Sequence, residues 1–120
     1  MTPLLMLVVD DDVAFSMLLT ELLRGDDCKI ERAANGREAL AMLDRMKPHL
    51  ILTDLVMPVM DGWEFTRAVR RDSRFGGVPV VVMSSVVKKT VPEGAACCID
   101  KNVLLGKIGE LLTLADDPAT

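Results

Sequence analysis

Two apolar runs in this sequence end on aspartate. Leu50-Ile51-Leu52-Thr53-Asp54 closes on one carboxylate, and Leu7-Val8-Val9-Asp10-Asp11-Asp12 closes on three. Such runs suit strands buried on both faces, so each set of acids would stand at a strand end, on the edge of a sheet. If the two strands are neighbours, Asp10, Asp11 and Asp54 meet. Two carboxylates ~4 Å apart repel by about 4 kcal/mol at an effective dielectric of 20. A divalent cation relieves that repulsion, and Mg²⁺ prefers one or two carboxylates together with water and phosphate oxygens. The chemistry open to such an edge is attack by the Asp54 carboxylate on phosphorus, in line with the leaving group. Charge on the transferring group must then be met by metal and by fixed donors. Ser84, closing the run Pro79-Val80-Val81-Val82-Met83-Ser84, offers a hydroxyl, and Lys101 offers an ammonium.

Each residue alone has a plainer explanation. Asp10, Asp11 and Asp12 would suit the positive end of a helix dipole. Asp54 would serve as a turn residue before Met57-Pro58, Ser84 as a strand end, and Lys101 as a surface base at a helix start. Four such features, Asp10-Asp11, Asp54, Ser84 and Lys101, at one sheet edge are much harder to reach by chance.

The remaining pattern must bring them to that edge. Strands are expected at 4–9, 29–33, 50–53, 79–83 and 97–99. Helices are expected at 12–24, 35–46, 61–71 and 102–115. The first would start at an aspartate cap, place Ala14, Leu18 and Leu22 on one face, and end near Gly25. The second would share Leu40, Leu43 and Met46, and the third, capped by Asp61, Phe65 and Val69. The last would present Leu104, Ile108, Leu111 and Ala115. Trp63 reads as a packing residue on the third helix, and the eight methionines as filler in an aromatic-poor core. Alternating strands and helices imply an α/β fold, a doubly wound five-stranded parallel sheet covered on both faces, flavodoxin-like if its strand order is 2-1-3-4-5. Strands one and three are then neighbours at the switch point where such sheets bind ligands. One domain over 1–116 is expected, with a frayed tail at 117–120.

Composition narrows the function. The chain has 120 residues, 50% hydrophobic and 27% charged, with 3% aromatics and no Tyr, as for one globular domain with an aliphatic core. Fourteen basic and 18 acidic residues give a net charge of −4, a poor basis for direct nucleic-acid binding. The basic groupings, Arg70-Arg71 with Arg74 and Lys88-Lys89, read as solvated surface. No run approaches the ~18 apolar residues of a membrane span. The N-terminus lacks the basic start of a signal peptide, so a cytoplasmic location without membrane insertion is expected. Cys28, Cys97 and Cys98 then read as reduced thiols. The adjacent pair reads as small buried hydrophobes, since one histidine, His49, cannot complete a zinc site with it.

The runs Val8-Val9-Asp10-Asp11, Leu52-Thr53-Asp54-Leu55-Val56-Met57-Pro58-Val59-Met60-Asp61-Gly62, Pro79-Val80-Val81-Val82-Met83-Ser84 and Asp100-Lys101 resemble the receiver domain of two-component response regulators over essentially the whole chain. The Asp-x-x-Met-Pro-x-Met-Asp-Gly signature is highly specific. The resemblance implies Asp54 as phosphoacceptor, Asp11 as direct Mg²⁺ ligand and Asp10 as an outer acid acting through water. It implies the Val56 backbone carbonyl as a further ligand, Ser84 in the hydroxyl slot and Lys101 in the phosphate-pairing slot. It also implies a histidine kinase or histidine phosphotransfer protein as donor and an unidentified downstream protein as target. The domain would be a switch and a substrate rather than an enzyme, with slow self-dephosphorylation at most. The start at Met1 and the short tail read as a small chain without an effector domain.

Four departures from the family pattern carry expectations. Asn102 follows Lys101 where family members usually have proline, so a trans Lys101–Asn102 bond is expected. Only 17 positions separate Ser84 from Lys101, and the stretch 86–94 is β-branched and interrupted by Pro92. The fourth helix is therefore expected to be shortened or missing. Cys98 stands where many receivers carry an aromatic switch residue. Val56 and Val86 cannot position an attacking water, which predicts a long-lived aspartyl phosphate. The main competing reading is a degenerate receiver that binds protein independently of phosphate. An aspartyl-nucleophile phosphatase is disfavoured because Val56 stands where its general acid would be. A flavin carrier is disfavoured because no Ser/Thr/Gly-rich phosphate loop follows strand one.

Overall fold

The computed structural model describes residues 4–23, 28–84, 92–104 and 106. Strands β1 (Leu4–Val9), β2 (Cys28–Ala33), β3 (Leu50–Asp54), β4 (Val80–Ser84) and β5 (Cys97–Asp100) form one parallel sheet in the expected order β2-β1-β3-β4-β5. Helices α1 (Val13–Leu22), α2 (Gly36–Leu43) and α3 (Gly62–Arg71) lie between the strands, and α4 (Lys101–Leu104) follows β5. The inner strands are apolar on both faces because helices cover both. Alternate side chains feed two cores. Leu7, Val9, Ile51 and Val80 pack with Ala39 and Leu43 of α2 and Phe65 and Val69 of α3. Met6, Val8, Leu50, Leu52, Val81 and Met83 pack on the opposite face with Leu19, Leu23 and Leu104.

Each of the first three helices starts on a side-chain cap. Asp12 accepts from the Phe15 N–H, Asn35 from Glu38 and Asp61 from Glu64, at 3.1, 2.9 and 2.9 Å. These caps turn the chain into a helix soon after the strand end or connecting loop, which keeps the carboxyl edge compact.

The core face of α1 is not the expected one. Ser16, Leu19 and Leu23 are buried, whereas Ala14 is exposed and Leu18 and Leu22 remain 44% and 46% exposed. The helix is apolar on more than one side, with Val13 and Met17 also exposed, so the i, i+4 spacing fits two stripes. Polar anchors settle the phase: Ser16 Oγ donates to the Asp12 carbonyl and accepts from Arg32 Nε. Helix α2 ends at Leu43 rather than 46, because Asp44 and Arg45 N–H groups close a tightened last turn on Ala41 and Met42. Met46 still packs on the core from beyond the helix.

Cys97 is exposed and Cys98 half-buried rather than both buried, because β5 is an edge strand. None of the three cysteines forms a disulfide, and burial pushes the Cys97 and Cys98 thiols up. Arg70 is not simply solvated surface. Its guanidinium donates to the Phe75 and Val78 carbonyls. Its stem lies where a Cβ on Gly94 (φ 89°) would come within 2.3 Å of Cγ.

Residues 92–96 form a turn closed by Ala95 N–H to the Pro92 carbonyl, with no helix. The rest of the doubtful fourth helix, including Val86 and Lys88-Lys89, lies outside the described residues. So do Ile108, Leu111, Ala115 and the tail at 117–120. The described residues contain no cis peptide bond, so the Lys101–Asn102 bond is trans, as expected.

Candidate functional site

Parallel strands end on a common edge, and register decides which side chains meet there. Val9 lies opposite Thr53, so Asp10 and Asp54 come next on adjacent strands. Asp54 lies opposite Met83 and Ser84 opposite Asp100, which carries Ser84 and Lys101 to the same edge. Carboxylate oxygens of Asp10, Asp11 and Asp54 all lie within 4.8 Å of one another. Asp10 is fully buried. Its Oδ1 accepts from the Asp12 N–H at 2.9 Å, and its Oδ2, which has no other partner among the described residues, forms an ion pair with Lys101 Nζ at 2.8 Å. Asp11 is exposed. Asp54 Oδ1 accepts from the Leu55 N–H at 2.8 Å, and Oδ2 is 3.3 Å from Lys101 Nζ. The same Leu55 N–H reaches the Met83 carbonyl at 3.2 Å, tying the carboxylate's peptide to β4. Val56 is exposed just beyond, and Ser84 is buried at the end of β4.

Burial pushes the Asp54 carboxyl up; Lys101 opposes the rise and Asp10 adds to it, leaving the group above the usual carboxylate range. Burial alone would lower Lys101, but Asp10 and Asp54 reverse this and raise it, so the ammonium stays charged at neutral pH. Lys101 thus bridges two carboxylates that repel each other. The three acids fit a small divalent cation: they are hard oxygen donors, close together and short of positive charge.

Two residues at the site were not anticipated from sequence. Arg32, opposite Val8 in β2, donates from Nη2 to the Asp10 carbonyl at 2.9 Å and ties the end of β1 to β2. Its sequence signal was weak, because Lys29 and Glu31 in the same strand are charged as well. Phe15, one turn into α1, places its ring centroid 4.9 Å from Lys101 Nζ. Its signal was an aromatic three residues after the Asp12 cap, in a chain with few aromatics.

The loop after Asp54 carries strain. Val59 sits at φ 71°, and the Met60 N–H donates to the Pro58 carbonyl at 2.8 Å across it. This is a γ-turn in the left-handed region, where a β-branched residue costs about 1–2 kcal/mol. Val59 is 68% exposed, so little packing is lost on replacement. Val59→Asn is expected to stabilise the domain by about 1 kcal/mol, raising Tm by roughly 4 °C. Thermal unfolding checks this; a Tm at or below wild type would show that the turn relaxes with valine in place.

The family model of the response regulator receiver domain matches residues 6–113. The chain belongs to that family. This receiver domain is 38% identical over 79 residues to the DNA-binding response regulator MtrA of Mycobacterium tuberculosis (strain ATCC 25618 / H37Rv), covering 66% of this chain and 33% of that protein. It is 33% identical over 121 residues to the two-component response regulator ARR3 of Arabidopsis thaliana, covering 88% and 52%. The receiver domain spans about a third to a half of the length of these curated relatives. Among solved structures, the chemotaxis response regulator CheY4 of Vibrio cholerae is similar at TM-score 0.76 and 30% identity, over 92% of this chain and 99% of that one. The response regulator TrrA of Thermotoga maritima, solved with Mg(2+)-BeF, shares the fold at TM-score 0.82 and 23% identity, over 93% and 98%. Among the described residues of this receiver domain, no helix is long and apolar enough to cross a membrane.

Proposed function

We propose that this receiver domain is a phosphoacceptor switch, with Asp54 taking a phosphoryl group from a phosphohistidine of a partner histidine kinase or histidine phosphotransfer protein. The observation that carries the reading is Asp54 itself. Its carboxylate is fixed through Oδ1 by the Leu55 N–H and turns Oδ2 toward Lys101, within an acid cluster short of positive charge. Oδ2 attacks phosphorus, the phosphorus–nitrogen bond breaks, and the histidine nitrogen keeps the electron pair and takes a proton. Asp11 and Asp54 with the Val56 carbonyl would hold Mg²⁺ directly, and Asp10 through water. Bound there, the ion would neutralise charge on the transferring group. Lys101 would exchange its carboxylate contacts for a phosphoryl oxygen, and Ser84 would donate its hydroxyl to another. That change at the edge of β4 would alter contacts with a downstream protein in the cytoplasm. We take 1–116 as the domain that does this.

The test is intact mass after incubation with acetyl phosphate, in Mg²⁺ or in EDTA. A single phosphoryl adduct in Mg²⁺, absent in EDTA and mapping to Asp54, is expected. The exposed apolar side chain of Val56 leaves no acid or amide there to guide water. The adduct should therefore persist for minutes or longer at neutral pH, and loss within seconds would count against that. No adduct under any condition would favour a degenerate receiver that binds protein independently of phosphate.

A further inference from the structure

We infer that Phe15 is a positioning residue for Lys101, holding the ammonium at the reacting edge through the face of its ring; the inference rests on the phosphoacceptor reading above. Lys101 must serve two states. In the present one its Nζ is shared between Asp10 Oδ2 at 2.8 Å and Asp54 Oδ2 at 3.3 Å. A cation among the acids competes for those carboxylates before a phosphoryl oxygen is there to replace them. A lysine is a flexible four-carbon stem carrying a strongly hydrated point charge, and without a fixed neighbour it would leave for water. The residue after it, Asn102, does not fix its own backbone as a proline would. Phe15 supplies a fixed neighbour. Its centroid lies 4.9 Å from Nζ, within the reach of a cation–π contact. The ring is partly buried against the core formed by Leu19, Met83 and Leu104, so its place does not depend on the charge state of the acids. The Lys101 side chain is only 13% exposed, and desolvation strengthens the attraction. A phenyl ring neither ligates Mg²⁺ nor accepts a phosphoryl group, so it retains the lysine without competing with either.

The test compares Phe15→Leu, which keeps apolar volume and loses the ring, with Phe15→Tyr, which keeps the ring face. Two readouts are taken. The first is the NMR shift of the Lys101 ε-methylene protons without metal. The ring should move them upfield in wild type and in Phe15→Tyr, and Phe15→Leu should return them to the ordinary lysine position. The second is the rate of adduct formation from acetyl phosphate in Mg²⁺. Phe15→Leu should slow it by about threefold to tenfold, and Phe15→Tyr should stay within about twofold of wild type. In a Lys101→Met background the Phe15→Leu change should have no further effect. Unshifted lysine protons in wild type would overturn the inference. So would an unchanged rate in Phe15→Leu, or an equal loss in Phe15→Tyr. If wild type forms no adduct, the phosphoacceptor reading fails, while the proton shift still decides the Phe15 contact.

Discussion

Asp54→Asn abolishes phosphoryl uptake and, in EDTA at neutral pH, melts above wild type. The first effect follows from chemistry: an amide oxygen at this position is no nucleophile toward phosphorus. The second follows from the charge balance at the sheet edge. A folded-state carboxyl raised above its ordinary value holds its proton more tightly than the unfolded chain does, so the ionised form is less favourable in the fold. That penalty is present at neutral pH and disappears as pH falls below the ordinary carboxylate range. Asparagine removes the charge and can still accept from the Leu55 N–H through Oδ1, while Lys101 keeps its 2.8 Å contact with Asp10. The Asp54 side chain is only 13% exposed, but the attraction of Lys101 offsets part of the penalty and holds the gain under about 1 kcal/mol, or roughly 2–4 °C. Mg²⁺ should then stabilise wild type more than the variant, because the ion meets one carboxylate fewer. Thermal melts across pH with and without Mg²⁺, and intact mass after acetyl phosphate, check both halves. A variant melting below wild type in EDTA would show that Lys101 attracts Asp54 more strongly than burial and Asp10 oppose its charge. An adduct on the variant would move the acceptor elsewhere, with exposed Asp11 the first place to look.

The sheet and its edge chemistry were legible because each rests on a local pattern that tertiary context reinforced. The runs ending at Val9, Thr53 and Met83 are too apolar for any place but strands covered on both faces, and their acids and hydroxyl follow directly. The meeting of Asp10 and Asp54 then followed from the strand order 2-1-3-4-5, which sets strands one and three side by side. The phase of α1 was not legible, because Leu18 and Leu22 form as good an apolar stripe as Leu19 and Leu23. What separates them is Ser16, bonded to Arg32 from a strand 16 residues away. The contact of Phe15 with Lys101 spans 86 positions and exists only once β5 has joined the edge of the sheet. Cys97 misled for a related reason: an apolar run on an edge strand has one side that no neighbour covers. Local sequence therefore specified which groups could react, while the groups that steady them came from long-range packing.

Gly62→Ala is expected to destabilise the domain by about 3 kcal/mol, near the upper end for overpacking. A Cβ on Gly62 would stand 2.3 Å from the Asp54 carbonyl oxygen and 2.9 Å from Leu55 Cα. Both are backbone atoms, so no rotamer change removes the clash. Gly62 also donates its N–H to the Leu55 carbonyl at 2.9 Å, which pins the start of α3 to the loop leaving β3. Either α3 shifts off the sheet, uncovering Phe65 and Val69, or the peptide that follows Asp54 rotates and disturbs the Leu55 N–H that fixes the carboxylate. For a domain of this size that cost is a fall in Tm of roughly 12 °C, a large share of a total stability of about 5–15 kcal/mol. Gly36→Ala is the matched control. Its Cβ would meet Met60 Cγ and Sδ at 2.7 and 2.9 Å, atoms of a flexible side chain that can swing aside, and Phe65 Cβ at 3.0 Å, a contact that a few tenths of an ångström of adjustment relieves. It should therefore cost about 1 kcal/mol or less. Phosphoryl uptake measured well below the melting point separates the two routes for Gly62→Ala. Uptake slowed in protein that remains folded places the strain on the Asp54 peptide, whereas normal uptake with a lowered Tm places it on α3. A Tm within about 3 °C of wild type would mean that the β3–α3 junction yields at little cost, and the close approach at Gly62 would not be what holds the acceptor carboxylate in place.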